Sequence, residues 1–177
     1  MKLKALGEFK SLCNENDVDA YMEKDPHAVL MHCQVLDPLL IVNGEPGETT
    51  DRLAMKREAS ISIPEEFDPA VDYSVFVLQS RDGSKADEFL IGCGDGCDVV
   101  IRDASVSRAH AWIEKRGEKY FIRDNASAAG TMLNDSALDV GEEKEVRSGA
   151  KITMGRVDLL FLGPREFYHF VRRLLCN

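Results

Sequence analysis

A hydroxyl, a guanidinium and an imidazole fall within four residues at Ser107-Arg108-Ala109-His110, and a second small polar set follows at Ser127-Ala128-Ala129-Gly130-Thr131, with Asn134 just beyond. Side chains of these types on loops can offer several hydrogen-bond donors to one acceptor group, most strongly where an arginine adds a charge-assisted contact. Arg102 lies close in sequence to the same loops and is a candidate second guanidinium.

Upstream, Gly92-Cys93-Gly94-Asp95-Gly96-Cys97 places two thiols around a glycine-rich turn. The glycines lack the G-x-G-x-x-G spacing ahead of a helix that a nucleotide loop needs, and Val99-Val100-Ile101 reads as another strand. Cys93 and Cys97 are four apart, not in the two-residue spacing of a zinc knuckle, and His27, His32 and His110 form no second ligand pair. No metal or cofactor is expected. A thiol- or metal-dependent enzyme centred on Cys93, Cys97 and His110 is the competing reading, but no sequence element promises the base and oxyanion hole that a thiol nucleophile requires.

These residues need a frame. From Asp72 onward, short apolar runs alternate with turn residues about every ten positions, as an antiparallel sandwich requires. Strands are expected near Tyr73–Leu78, Glu88–Ile91, Val99–Ile101, Ala109–Glu114, Lys119–Arg123, Thr131–Leu133, Glu145–Arg147, Lys151–Met154 and Val157–Leu162. Turns are expected at 81–84, 116–118 and 139–142. Gly163-Pro164 opens a final helix in which Phe167, Phe170, Val171, Leu174 and Leu175 follow the i, i+3, i+4, i+7, i+8 spacing, a stripe to be covered by the N-terminal helices or the sandwich flank.

Ahead of the sandwich, Leu6, Phe9 and Cys13 stand at helical spacing, and Asp25-Pro26 gives a cap and a first-turn proline before a helix over 28–33. Leu39–Val42 and Ala59–Pro64 are further short strand candidates in a mixed connector. The expected organisation is therefore an N-terminal helical or mixed extension over 1–71, a sandwich over 72–163 and an amphipathic helix over 164–177.

The chain has 177 residues, enough for one sizeable core with extensions. Acidic residues outnumber basic ones by 31 to 22, for a net charge of −9, which argues against nucleic acid as the partner. Five scattered cysteines and no readable secretory leader or membrane-length apolar run point to a reduced, cytoplasmic protein without a membrane partner.

In order and spacing, the run from Ile91-Gly92 through Ser107-Arg108-Ala109-His110 to Ser127-Ala128-Ala129-Gly130-Thr131 and Asn134 resembles a forkhead-associated (FHA) domain. The resemblance covers about ninety residues and implies an FHA-like antiparallel β-sandwich, mainly β, that binds phosphothreonine peptides on its loops. It implies that Ser107 donates to phosphate, that Arg108, Thr131 and Asn134 contact the partner, and that Gly92, His110 and Gly130 brace the loops. Two departures weaken the carry-over. The family's arginine after the first glycine is Cys93 here, and its asparagine before the last glycine is Ala129, with Ala128 beside it. A neutral thiol makes no bidentate contact to phosphate. The expected function is thus a non-enzymatic module for a protein or peptide partner, an adaptor or signalling scaffold, with impaired or absent phosphothreonine recognition. A phosphothreonine reader using Ser107 and Arg108, with Arg102 compensating, is the alternative.

Overall fold

In the computed structural model, the described residues are 4–5, 8–9, 11–12, 17–24, 27–35, 71–81 and 87–175. The expected strands at 39–42 and 59–64, Leu6 and Cys13 of the N-terminal stripe, and most of the turn at 81–84 lie outside them.

Two sheets face one another. The five-stranded sheet runs in the order β10 (Glu143–Val146), β7 (Lys119–Asp124), β6 (Ala111–Arg116), β4 (Glu88–Gly92), β5 (Val99–Val100), antiparallel except for the parallel β4–β5 pair. The seven-stranded sheet runs β1 (Lys4–Ala5), β3 (Val71–Val77), β2 (Val29–Val35), β12 (Val157–Leu162), β11 (Lys151–Met154), β8 (Thr131–Leu133), β9 (Ser136–Ala137), antiparallel throughout. The fold is mainly β, a sandwich closed by a C-terminal helix.

Alternation builds the core between the sheets. Phe89 and Ile91 of β4, Ala111 and Ile113 of β6, and Tyr120 and Ile122 of β7 meet Leu30, Ile152, Met154, Leu159 and Phe161 from the other sheet. Burying each large apolar side chain contributes about 1.5–3 kcal/mol. A second core lies behind the larger sheet, where Val29, Met31, Val75, Val77, Leu160 and Leu162 pack under Phe167, Phe170 and Val171 of α2 (Pro164–Leu175). The C-terminal stripe therefore covers the sandwich flank, with Phe9 edge-on to Phe167 at 4.9 Å between ring centroids.

The N-terminal part departs from expectation. Residues 29–35 are a strand inside the larger sheet, not a helix over 28–33, with Val29 opposite Val77 on one side and Leu162 on the other. At Val29, Leu30 and Met31 both faces of β2 are buried, by the sandwich and by α2, so this stretch lacks the alternation of a half-exposed strand. Lys4–Ala5 is also extended, pairing with Ser74 and Val75. The one α-helix described ahead of the sandwich is α1 (Val18–Met22), capped by the Asp17 carboxylate, which accepts the Asp19 backbone N–H at 2.9 Å. No described helix is long and apolar enough to cross a membrane.

Candidate functional site

The polar loops gather at one end of the smaller sheet because β4 ends in glycine. Gly92 has no room for a side chain: a Cβ there would lie 2.4 Å from the Arg108 carbonyl oxygen. That close approach lets two backbone rungs form, from the Cys93 N–H to the Ser107 carbonyl and from the Gly94 N–H to the Arg108 carbonyl, each at 3.0 Å. The Cys97 thiol adds a third contact, donating to the Arg108 carbonyl at 3.0 Å. Residues 107–108 are thus fixed against the end of β4.

His110 fixes the same loop from the other side. Its Nδ1 accepts the Ser107 backbone N–H at 2.9 Å, which places the ring proton on Nε2, 3.1 Å from the Gly130 carbonyl oxygen. The ring is fully buried, and burial holds its pKa below the ordinary histidine value. It is a neutral brace between two loops. Both nitrogens are engaged, so His110 offers no base to Cys93 or Cys97.

The second loop is organised by Asp124, which is buried at the end of β7. Its carboxylate accepts the Ser127 hydroxyl and the Thr131 hydroxyl at 2.6 Å each and the Ser127 N–H at 2.9 Å. Burial pushes this carboxyl up, but the Ser127 and Thr131 hydrogen bonds outweigh it and hold the pKa below the usual value. Gly130 sits at φ 75°, in the left-handed region that glycine enters freely. The loops meet where the Ala128 N–H donates to the Ser107 hydroxyl oxygen at 2.9 Å.

Two expected partner contacts are taken up internally. Thr131 has no exposed surface and spends its hydroxyl on Asp124, so it braces the loop instead of meeting a peptide. Asn134 sits in the β8–β9 turn at φ 49°, its side-chain oxygen accepting the Lys151 N–H at 2.9 Å and its own N–H donating to the Lys151 carbonyl at 2.8 Å. Asn134 is exposed, and its side-chain oxygen serves the frame. What faces outward is the Ser107 hydroxyl, with its proton still to donate, and the exposed Arg108, whose guanidinium makes no hydrogen bond or ion pair among the described residues. Cys93 is half-buried and packs on the core, while Ala128 and Ala129 are exposed and offer no side-chain donor.

Arg102 reaches back to the β4 loop. Its Nη1 donates to the Cys93 carbonyl at 3.0 Å and its Nη2 pairs with the Asp95 carboxylate. No hydrogen bond joins it to Ser107. Arg81 donates from Nη1 to the Asp95 carbonyl, and its backbone N–H meets the Asp98 carboxylate at 2.9 Å. A cavity of about 670 Å³ opens beside these groups, lined by Arg81, Asp95 and Arg102 and by Phe76, Ile101 and Val157. Sequence reading missed Asp95, Arg81 and Asp124. Only Asp124 carried a usable signal, an aspartate three residues before a serine in a turn.

Cys93 and Cys97 are both free thiols, and burial, then the Asp98 charge, raise the Cys97 pKa. Among the described residues no group of three or more His, Cys, Asp or Glu is placed to hold a metal ion.

Glycine-tight strand end, buried histidine brace and joined serine loops all fall within residues 89–155, which match the family model of the FHA domain. This chain carries an FHA domain. FHA domains are phosphopeptide-binding protein-interaction modules rather than enzymes. The chain is 38% identical over 55 residues to Protein FraH of Nostoc sp., covering 31% of this chain and 19% of that one. It is 31% identical over 90 residues to Transcription factor 19 of Sus scrofa, covering 46% of this chain and 26% of that one. The chain thus spans about a quarter or less of these relatives' length. Among solved structures it is similar to the FhaA FHA domain complexed with the intracellular domain of Rv3910, at 26% identity and TM-score 0.40, covering 47% of this chain and 94% of that one. It is also similar to full-length yeast Pml1p, at 17% identity and TM-score 0.47, covering 82% and 92% of the two chains.

Proposed function

We propose that this FHA domain is a non-enzymatic protein-interaction module, an adaptor or signalling scaffold, in which phosphothreonine recognition is impaired or absent. One observation carries the reading. The loops keep their bracing, through Gly92, His110, Asp124 and Gly130, while the place of the family's main guanidinium is held by a half-buried thiol, Cys93. Losing one partner of a desolvated charge pair costs about 2–5 kcal/mol, and about 1.4 kcal/mol is tenfold in affinity. Micromolar phosphopeptide binding then falls to between about tens of micromolar and a few millimolar.

The reading takes 72–163, with the inner strand at 29–35 completing its larger sheet, as the part that meets the partner, and the remainder of 1–71 and 164–177 as its flanking cover. It also takes the setting as cytoplasmic, supported by the free thiols of Cys93 and Cys97, and the partner as protein, supported by the acidic net charge of −9.

A phosphothreonine reader in Ser/Thr kinase signalling is the second reading, favoured by the unengaged Arg108 guanidinium one residue from the Ser107 hydroxyl. Titration of a phosphothreonine peptide library and its unphosphorylated copy against wild type, Ser107→Ala and Arg108→Ala separates the two. Equal or no binding of the two libraries by the wild type supports impaired recognition. Preferential phosphopeptide binding lost in both variants overturns it in favour of the reader.

A further inference from the structure

The recognition end of the sandwich is not short of positive charge. Arg102 anchors on the Cys93 carbonyl, over the very residue that replaces the family's arginine, and Arg81 reaches the same loop from the end of β3. Both stop at Asp95. Asp98 is committed to the backbone N–H groups of Arg81 and Leu90, so the Asp95 carboxylate is the one that pairs with a guanidinium, that of Arg102, while the Arg81 guanidinium meets the Asp95 backbone carbonyl.

We propose that Arg81 and Arg102 form an anion site for a phosphorylated side chain of a partner peptide, and that Asp95 occupies it as an internal competitor. The idea rests on the proposed function and gives its cause: recognition is held back by an anion built into the loop, and not only by the missing arginine.

Three features support displacement. The Asp95–Arg102 pair is exposed, with side-chain exposures of 84% and 66%, and ion pairs in that setting are weak and readily exchanged. A phosphate carries close to two charges and three acceptor oxygens against the one charge of Asp95, so it makes more charge-assisted bonds to a guanidinium fork. The adjoining cavity of about 670 Å³ places Arg81 and Arg102 beside the apolar wall of Phe76, Ile101 and Val157, which gives the residues flanking the anion a surface to rest on. The Asp95 carboxyl is held below its usual pKa first by Arg102, with smaller contributions from Arg81 and Arg108, in keeping with all three charges reaching it.

The test uses the full 177-residue chain as wild type, Asp95→Asn, and Asp95→Asn with Arg102→Ala. Asn keeps the Asp95 carbonyl that Arg81 contacts, and the Cys93 and Gly94 amide resonances report whether the loop stays folded. The probes are a degenerate phosphothreonine peptide pool, its threonine copy and its glutamate copy, followed by fluorescence anisotropy at fixed ionic strength. Asp95→Asn is expected to bind the phosphopeptide pool about tenfold tighter than wild type, and Arg102→Ala to cancel the gain. The inference is overturned if Asp95→Asn binds no tighter than wild type, including no binding by either, or if the gain survives Arg102→Ala. An equal gain for the glutamate copy overturns the assignment to phosphate. The wild type's own choice between phosphorylated and threonine pools decides the proposed function separately, because the inference is read from the variant-to-wild-type ratio.

Discussion

The Ser107 hydroxyl oxygen accepts the Ala128 backbone N–H at 2.9 Å, and that one bond joins the two loops that flank the outward face. Because the oxygen accepts there, the hydroxyl proton is left to donate outward. Ser107→Ala is expected to cost about 0.5–1.5 kcal/mol, read as a lowered thermal midpoint, with the Ala128 amide becoming faster to exchange.

Gly92→Ala tests the close approach. Its new Cβ would sit 2.4 Å from the Arg108 carbonyl oxygen and 2.8 Å from that of Ser107, so the loop must move away from β4. A loss of about 1–3 kcal/mol in urea unfolding is expected. Broadening of the Cys93 and Gly94 amide signals should accompany it.

His110 gives a pH signature. Its folded pKa lies below the unfolded value, so its contribution to stability is complete above about pH 6.5 and is lost as pH falls toward the folded pKa. Stability should therefore begin to decline as pH falls below about 6.5, before the depressed carboxylates of Asp103, Glu114 and Asp124 begin to protonate. His110→Gln should remove that early decline from the pH profile of denaturation while lowering stability at neutral pH.

Asp124→Asn leaves one oxygen for the Ser127 and Thr131 hydroxyls and sets an NH2 donor against the Ser127 N–H at a buried site. A cost of about 1–3 kcal/mol is expected, since hydroxyls that donated to a carboxylate must now share an amide. Stability that depends on this ionised carboxyl is present above its unfolded pKa and lost as pH falls through the folded one, so the variant should resist acid relatively better than wild type below about pH 4.

Cys93→Arg together with Ala129→Asn should bring measurable phosphopeptide affinity to the loops, seen by calorimetric titration. A folded double variant with no gain would mean that the loops differ from the family in geometry as well as in side chains.

Much of this arrangement was legible in sequence where one face of a strand is wet. Thr131–Leu133 forms where alternation and turn residues place it, and Lys119–Asp124 runs one residue past its expected end, whereas Val157–Leu162 is buried on both faces and is marked by its apolar run and the bounding turns. The sequence suggests a helix over 28–33 because burial of Val29, Leu30 and Met31 removes alternation, and because Asp25-Pro26 mimics a helix start. Thr131 and Asn134 were read as outward contacts because spacing reveals a loop residue's place but not which way its hydroxyl or amide turns. The arginine cluster around Asp95 was hidden for a related reason: Arg81, Asp95 and Arg102 are separated by the turns that bring them together.

Between β3 and β12, strand β2 occupies an inner lane of the larger sheet. A shortened protein starting near residue 72 would therefore bare the backbone edge of β12 and remove the Val29 and Met31 side chains from the core shared with Leu160 and Leu162, inviting strand-to-strand self-association. Binding measured on such a fragment would report clumping as much as recognition, which makes the intact polypeptide the proper reagent for every titration above.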